Sequence, residues 1–122
     1  MKADVTVYAG EYLALDNFGL FEFDDDPSDS AGVRAVKAAV RTRDASRITH
    51  LEVTAETLDA VLSGVTEIAN YHDDYAEGLA GSGPDAARWG RQDRAAMERL
   101  SDRIIRRAKA EHLTSPQRRA AR

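Results

Sequence analysis

The chain has 122 residues, enough for one domain with one modest core. Its apolar (43%) and charged (31%) fractions are typical of a soluble globular protein and exclude a disordered chain. No apolar run approaches the roughly 20 residues of a membrane helix, and the N-terminus lacks the apolar centre of a secretory signal. The absence of cysteine excludes disulfides and thiolate metal sites, and we expect a cytoplasmic protein.

The net charge of −4 is unevenly distributed along the chain. Residues 1–84 carry six Lys and Arg against sixteen Asp and Glu, a net of −10, whereas residues 85–122 carry eleven against five, a net of +6. Such a split is typical either of a basic arm that contacts a polyanion or of two halves that attract each other within one fold, and the second is commoner. The excess of Arg over Lys and the abundance of Ala indicate a GC-rich bacterial or phage origin.

The first 23 residues carry the period of β-strands. In "DVTVYA", Val5 and Val7 share one face, which predicts a half-buried strand. The segment "EYLALDNFGLFEF" is also strand-like, with turn residues at Asp16 and Gly19 inside it. We therefore predict two or three short antiparallel strands between residues 4 and 23.

The acidic segment "DDDPSDS" predicts the start of a helix. Asp26 is suited to cap this helix and Pro27 to occupy its first position. The segment fails as a calcium loop beginning at Asp24, because Asp29 stands where such a loop needs glycine. The helix is expected to continue to about Arg43.

The next segment, "RITHLEV", alternates in the manner of a strand. Thr49, Leu51 and Val53 share the face that is expected to contact the core. His50 lies on the other face and is expected to point to solvent. With the N-terminal strands this segment completes a small sheet within residues 4–53.

Two long amphipathic helices dominate the second half of the chain. The first is expected to follow a cap at Thr54, and its stripe is Leu58, Val61, Leu62, Val65, Ile68, Ala69, His72, Tyr75, Ala76 and Leu79. Pro84 starts the second, whose stripe is Ala86, Trp89, Asp93, Ala96, Met97, Leu100, Ile104 and Ala108. Because the turn "GLAGSGP" between them is short, we expect an antiparallel hairpin over residues 55–112.

The predicted fold class is therefore α+β. A small N-terminal antiparallel sheet with one short helix is expected to pack on the long C-terminal helical hairpin. We predict a single domain over residues 1–113, followed by a flexible basic tail at residues 114–122.

One polar residue interrupts each apolar stripe, and both interruptions lie at the same level of the hairpin. When one stripe is reflected onto the other, Ala76 falls opposite Trp89 and His72 falls opposite Asp93. Either polar side chain alone in an apolar seam would carry a desolvation cost of roughly 1–3 kcal/mol. We therefore expect His72 and Asp93 to hydrogen-bond as a structural polar pair that fixes the register of the hairpin.

A catalytic or metal-binding role for His72 is the alternative. An imidazole titrates near neutral pH and could act as a proton switch, but an Asp–His pair without a nucleophile is an incomplete catalyst. Asp73 and Asp74 leave the face of His72, because successive helix residues point about 100° apart, so no metal site is expected. An enzyme would also need a concave pocket near His72, which the hairpin alone does not supply.

Aromatic and acidic residues are the candidate partner-binding positions: Phe21, Phe23, Asp24, Asp25, Asp26 and Trp89. Phe21 and Phe23 would mark an exposed sheet edge if they do not both face the core. Trp89, the sole tryptophan, is expected to cap the core; if exposed, it would be a natural contact hot spot.

A basic stripe and tail form a candidate nucleic-acid surface, made of Arg88, Arg99, Arg103, Arg106, Arg118 and Arg119. We expect the helical members to lie away from the apolar stripe. Against this interpretation, Glu98 and Asp102 on the same helix are placed to pair with arginines, and no aromatic residues interleave with them.

These observations favour a small non-enzymatic protein-binding protein, an adaptor, inhibitor or accessory protein of a bacterial or phage system. The partner is a protein, which includes a second copy of this chain, because two hairpins can form a four-helix bundle. The alternative is a nucleic-acid-binding regulator that uses the basic helix and tail, and a small enzyme ranks third. We expect no cofactor, no metal and no membrane association.

Overall fold

The computed structural model describes residues 1–22, 26–41, 49–78 and 84–114. Within these ranges the chain forms, in order, β1 (Lys2–Val7), α1 (Ala9–Phe18), α2 (Ala31–Ala39), β2 (Val40–Arg41), β3 (Thr49–Thr54), α3 (Leu58–Gly78) and α4 (Pro84–Ala110).

The predicted α+β fold is confirmed. A three-stranded antiparallel sheet in the order β1-β3-β2 packs on α3 and α4. Val5 lies opposite Leu51 and Val7 opposite Thr49, and all four side chains are buried. The alternation in both strands therefore identified the core face correctly, and His50 is exposed as predicted.

The prediction of strands between residues 9 and 18 is wrong, because this segment forms α1. The backbone N–H of Tyr8 donates to the Glu11 carboxylate at 3.1 Å, which satisfies one free donor at the helix start. At the other end Gly19 adopts φ 93°, and the N–H of Leu20 donates to the Leu15 carbonyl at 3.1 Å. This arrangement is a Schellman ending, so the glycine interpreted as a strand turn is a helix cap.

The second helix begins later than the acidic segment suggested. Ser30 caps α2, since its hydroxyl accepts from the backbone N–H of Val33 at 3.1 Å. Asp26 instead accepts from the N–H and hydroxyl of Ser28, at 2.9 and 2.8 Å, in a local turn. The helix ends at Ala39, which is earlier than predicted. Arg43, the predicted end, lies outside the described residues.

Two glycines set the distance between α2 and α3. A Cβ added at Gly32 would stand 2.8 Å from the backbone nitrogen of Gly64, and one added at Gly64 would stand 2.2 Å from the Gly32 carbonyl oxygen. Both separations are shorter than any real contact of that kind. The two helix backbones therefore touch, and any side chain at either position would force them apart.

Helices α3 and α4 form the predicted hairpin and contribute a large part of the core. A turn in which Thr54 Oγ1 accepts from the N–H of Thr57 at 3.2 Å precedes α3. The stripes of the two helices are buried at Val61, Val65, Ile68, Met97, Leu100 and Ile104. Leu79, the last residue of the predicted stripe of α3, lies outside the part of the chain that the structure describes.

Helix α4 closes with a second Schellman ending, formed around a residue other than glycine. His112 adopts φ 57°, its N–H donates to Lys109, and the N–H of Leu113 donates to Ala108 at 2.8 Å. Leu113 is buried and returns the chain to the core. Of the predicted tail, residues 114–122, all but Thr114 lie outside the described residues.

Ion pairs join the acidic and basic halves of the chain within the fold. The Arg103 guanidinium contacts both carboxylate oxygens of Glu11, at 2.5 and 3.0 Å. Arg94 lies 3.7 Å from Asp73 across the hairpin. The uneven charge distribution is thus partly neutralised inside the molecule.

Candidate functional site

A cleft of about 400 Å³ lies where the end of α1 meets the hairpin of α3 and α4. Its walls come from three helices, which contribute Asn17, Tyr71, His72, Tyr75, Trp89, Gly90 and Asp93. The prediction that the hairpin leaves no concave pocket near His72 is wrong, because α1 adds a third wall. Helix α1 is formed by the segment predicted to form strands.

The cleft exists because Gly90, and not Trp89, faces α3. A Cβ at Gly90 would stand 2.8 Å from the Ala76 Cβ and 3.1 Å from the His72 carbonyl oxygen, so the two helices approach closely there. The predicted pairing of Ala76 with Trp89 is therefore displaced by one residue. That displacement turns the indole outward and leaves it 66% exposed, so the expectation that Trp89 caps the core is also wrong.

Three aromatic side chains form the rim of the cleft. Trp89 on α4 stands across from Tyr71 and Tyr75 on α3, which are 42% and 53% exposed. The two tyrosine rings stack with centroids 6.2 Å apart and planes 14° from parallel. Phe18 meets Tyr71 edge-on at 5.0 Å and supports it from α1.

The floor of the cleft is polar. The Asn17 side-chain amide donates to Asp93 Oδ2 at 3.0 Å, and His72 Nδ1 lies 3.8 Å from the same oxygen. The other ring nitrogen of His72, Nε2, lies 2.8 Å from the carbonyl oxygen of Ala14. A carbonyl only accepts, so Nε2 carries the hydrogen and ties α3 to α1.

The predicted pair of His72 and Asp93 therefore meets across the hairpin, but at ion-pair distance and beyond hydrogen-bond range. A neutral imidazole that donates from Nε2 has only a lone pair at Nδ1, and a carboxylate cannot donate to it. Asp93 takes its hydrogen bond from Asn17 instead. The role of the pair in fixing the register stays a prediction.

The described lining residues include no serine, threonine, cysteine or lysine beside the imidazole. Nor does the described part of the chain contain a group of three His, Cys, Asp or Glu side chains that could hold a metal ion. Asp73 lies near Arg94 rather than His72. What the floor offers is a set of hydrogen-bond acceptors beneath an aromatic rim.

The other candidate partner-binding residues are dispersed or undescribed. Phe21 follows α1, is half-buried and stacks on Tyr12 with ring centroids 4.9 Å apart, so it does not mark a sheet edge. Asp26 closes its local turn with Ser28, which holds the pKa of its carboxyl below the usual value. Phe23, Asp24 and Asp25 lie outside the described residues.

The edge of β1 that faces away from β3 is covered by α4. Arg103 donates to the Thr6 carbonyl at 3.1 Å, and Arg107 donates to the Asp4 carbonyl at 3.3 Å. These carbonyls belong to the outer side of an edge strand, where an added strand would bind. The arginines occupy them and obstruct pairing with a partner strand at this edge.

The arginines of the candidate nucleic-acid surface do not form one free stripe. Arg103 faces the fold rather than solvent, contrary to the prediction, and contacts Glu11 while it covers the Tyr8 ring at 4.7 Å. Arg99 lies 4.0 Å from Glu11, and Arg88 lies 3.3 Å from Asp85. Arg106 is exposed on α4, whereas Arg118 and Arg119 lie outside the described residues.

None of the helices in the described ranges combines the length and the apolar character needed to cross a membrane. No protein-family model, curated protein or solved structure matches this chain. The function has therefore to be argued from the cleft itself.

Proposed function

We propose that this chain is a small non-enzymatic protein-binding protein that engages its partner through the aromatic cleft between α1, α3 and α4. The observation that carries the proposal is the exposure of Trp89, the sole tryptophan, on the rim of that cleft. Tryptophan and tyrosine are the residues most enriched among contact hot spots. Tyr71 and Tyr75 extend the same rim, and their stacking holds them in place at little entropic cost.

The polar floor supports recognition rather than catalysis. Asn17 is hydrogen-bonded to Asp93, and His72 to the Ala14 carbonyl, so the floor is organised before a partner arrives. The described lining residues beside the His72 imidazole include no serine, threonine, cysteine or lysine that it could activate. The rim aromatics project into solvent instead of closing over the cleft, which suits a side chain presented by another protein better than an enclosed small molecule.

The same proposal includes the location and origin of the protein. A composition without cysteine and rich in arginine supports an intracellular adaptor, inhibitor or accessory protein of a bacterial or phage system. The proposed partners include a second copy of the chain, because the rim is an exposed aromatic patch on the hairpin.

The nucleic-acid alternative has less support in the described residues. Arg103 is committed to Glu11 and to a backbone carbonyl, and Arg99 and Arg88 lie beside carboxylates. Nucleic-acid binding would weaken steeply with added salt, whereas binding at the aromatic cleft would depend on salt much less. A salt series on any complex separates the two.

The test is a selection from a displayed peptide library on the immobilised protein, with counter-selection on Trp89→Ala. Selected peptides are then titrated in solution while the fluorescence of the sole tryptophan is followed in the wild type. We expect binders whose affinity falls about tenfold or more in Trp89→Ala and in Tyr75→Ala. Because both side chains are largely exposed, the melting temperature of either variant should change little.

The matched control is Ile105→Ala, which removes an apolar side chain that is 44% exposed farther along α4. It should leave the affinity of every selected peptide unchanged. Peptides that bind wild type and Trp89→Ala equally well, or that are lost in Ile105→Ala, would overturn the assignment of the cleft as the partner site.

A further inference from the structure

We infer that the aromatic cleft takes an arginine side chain of the partner protein. This inference rests on the proposed function and adds the chemical identity of the group that enters the cleft. It follows from the charge and hydrogen-bonding character of the floor together with the faces of the rim.

The floor of the cleft presents more hydrogen-bond acceptors than the described residues supply donors for. Within the described residues both contacts of Asp93 go to Oδ2, and Oδ1 receives no hydrogen bond from the protein. No described side-chain oxygen or nitrogen is both buried and unpaired, so Oδ1 is accessible to solvent, and Asp93 lines the cleft. In its neutral form the His72 ring adds a lone pair at Nδ1, since its hydrogen is then on Nε2, which faces the Ala14 carbonyl. A group with several donors and a positive charge complements this floor.

The rim favours the same kind of group. The faces of tryptophan and tyrosine rings attract cations, and a guanidinium also stacks on them because it is planar. Trp89, Tyr71 and Tyr75 surround an acidic floor, which is the combination that recognises organic cations. An aliphatic side chain would cover Asp93 without replacing its hydration, and an acidic one would be repelled.

The fold already contains one example of this arrangement. Arg103 covers the face of Tyr8 at 4.7 Å while its guanidinium contacts both oxygens of Glu11. In the cleft two tyrosines and a carboxylate again line one site, but none of the described arginines lines it. The partner would supply the cation.

Arginine is preferred to lysine on geometric grounds. A guanidinium has five donors in a fixed plane and can reach a carboxylate oxygen and a second acceptor while it lies on a ring. Asp93 Oδ2 and His72 Nδ1 are 3.8 Å apart, too far to bond each other and near enough to be contacted by one such group. An ammonium is a point charge and gains less from this spacing.

The experiment has two arms, both with the intact chain. In the first, ¹H–¹⁵N spectra follow titration with N-acetyl-arginine amide and with its neutral isostere, N-acetyl-citrulline amide. We expect the Trp89 indole and Asn17 amide signals to shift with the arginine amide, and binding of the citrulline amide to be about tenfold weaker or more. In the second, each arginine of a peptide selected on the cleft is replaced by citrulline, and one such replacement should abolish binding.

Asp93→Asn removes the charge of the floor while keeping its shape, and we expect it to lower affinity for the arginine amide about tenfold or more. Asp74→Asn is the matched control, because Asp74 is an exposed carboxylate on α3 that does not line the cleft. Equal binding of arginine and citrulline amides to the wild type would overturn the inference even if Asp93→Asn failed to fold.

The two proposals fail in different ways. Selected peptides that require Trp89 but tolerate citrulline would leave the protein-binding function standing and overturn the arginine assignment. The opposite result is that no selected peptide depends on Trp89 while the arginine amide still shifts the Trp89 and Asn17 signals. That result would overturn the protein-binding function, but the cleft would still be a site that binds a guanidinium.

Discussion

Glu11 and Arg103 form a bidentate ion pair between the first turn of α1 and the C-terminal third of α4. Glu11 is 3% exposed, and its carboxylate also accepts the N–H of Tyr8, so one side chain starts α1 and docks it. The contact with Glu11 holds the pKa of Arg103 above its usual value. Because α1 forms one wall of the cleft, this pair positions the site from a distance.

Removal of one partner should cost more than removal of a surface ion pair. Glu11→Gln leaves the Arg103 guanidinium without its charge partner, and we expect the free energy of unfolding to fall by about 2–4 kcal/mol. The expected loss is smaller than for a fully buried ion pair because Arg103 is partly exposed. Arg99→Ala removes a charge that is 59% exposed and 4.0 Å from Glu11, and should change stability by less than about 0.5 kcal/mol. Urea unfolding of both variants measures the difference, and equal losses would contradict the pairing.

The contact between Gly32 and Gly64 should make a single methyl group costly. Gly64→Ala places its Cβ against the Gly32 backbone, so α2 and α3 must separate, and we expect a loss of at least about 2–3 kcal/mol. Gly10→Ala is the control, because a Cβ in α1 meets only an arginine nitrogen at 4.0 Å and should stabilise the helix by about 0.5–1 kcal/mol. Thermal unfolding should give a lower melting temperature for Gly64→Ala and a higher one for Gly10→Ala. An unchanged melting temperature in Gly64→Ala would refute the close crossing of α2 and α3.

The C-terminal cap of α4 should tolerate glycine better than its native residue. His112 holds φ 57°, a conformation that costs roughly 1–2 kcal/mol for residues with a Cβ. His112→Gly is therefore expected to stabilise the protein by about 0.5–1 kcal/mol, less than the full strain because glycine also increases the entropy of the unfolded chain. Ala110→Gly, in the last helical position, should instead destabilise it. A loss of stability in both variants would contradict the left-handed cap.

Local periodicity explains which parts of the fold could be predicted. Val5 and Leu51 alternate with polar neighbours, and the hairpin stripes repeat every three to four residues, so each segment encodes its own buried face. The apolar residues of α1 are consecutive around Leu15 and fit either period. Gly19 then suggested a strand turn, although glycine after a helix has the same signature.

The cleft could not be predicted because no local pattern encodes it. Asn17 and Asp93 are 76 residues apart and meet only because α1 packs on the hairpin. The exposure of Trp89 depends on Gly90 taking the packing position against Ala76, a shift of one residue that the reflected stripes do not resolve. The strongest available signal was the sole tryptophan beside a glycine, since a small residue allows close helix approach and leaves its neighbour outside.

The ion pairs of Glu52 in the sheet predict how its carboxyl titrates. Lys2 lies 3.1 Å from Glu52 and holds the pKa of its carboxyl below the usual value, with a further contribution from Arg41. A carboxyl whose pKa is lowered by folding stabilises the native state above its unfolded pKa, and this contribution is lost as the pH falls through the folded pKa. We expect the NMR titration of Glu52 to move to higher pH in Lys2→Ala, with a smaller shift in Arg41→Ala. An unchanged midpoint in Lys2→Ala would contradict the pairing.

The tautomer of His72 tests the floor of the cleft directly. Nε2 lies 2.8 Å from the Ala14 carbonyl oxygen, which only accepts, so the neutral ring must carry its hydrogen on Nε2. Long-range ¹H–¹⁵N spectra at alkaline pH should therefore show a protonated Nε2 and a lone pair on Nδ1. His72→Phe keeps the ring but removes the donor that links α3 to α1, and we expect a loss of roughly 1–3 kcal/mol. A ring protonated on Nδ1 would instead mean that it donates toward Asp93, which would fill one of the acceptors to which an incoming arginine is expected to donate.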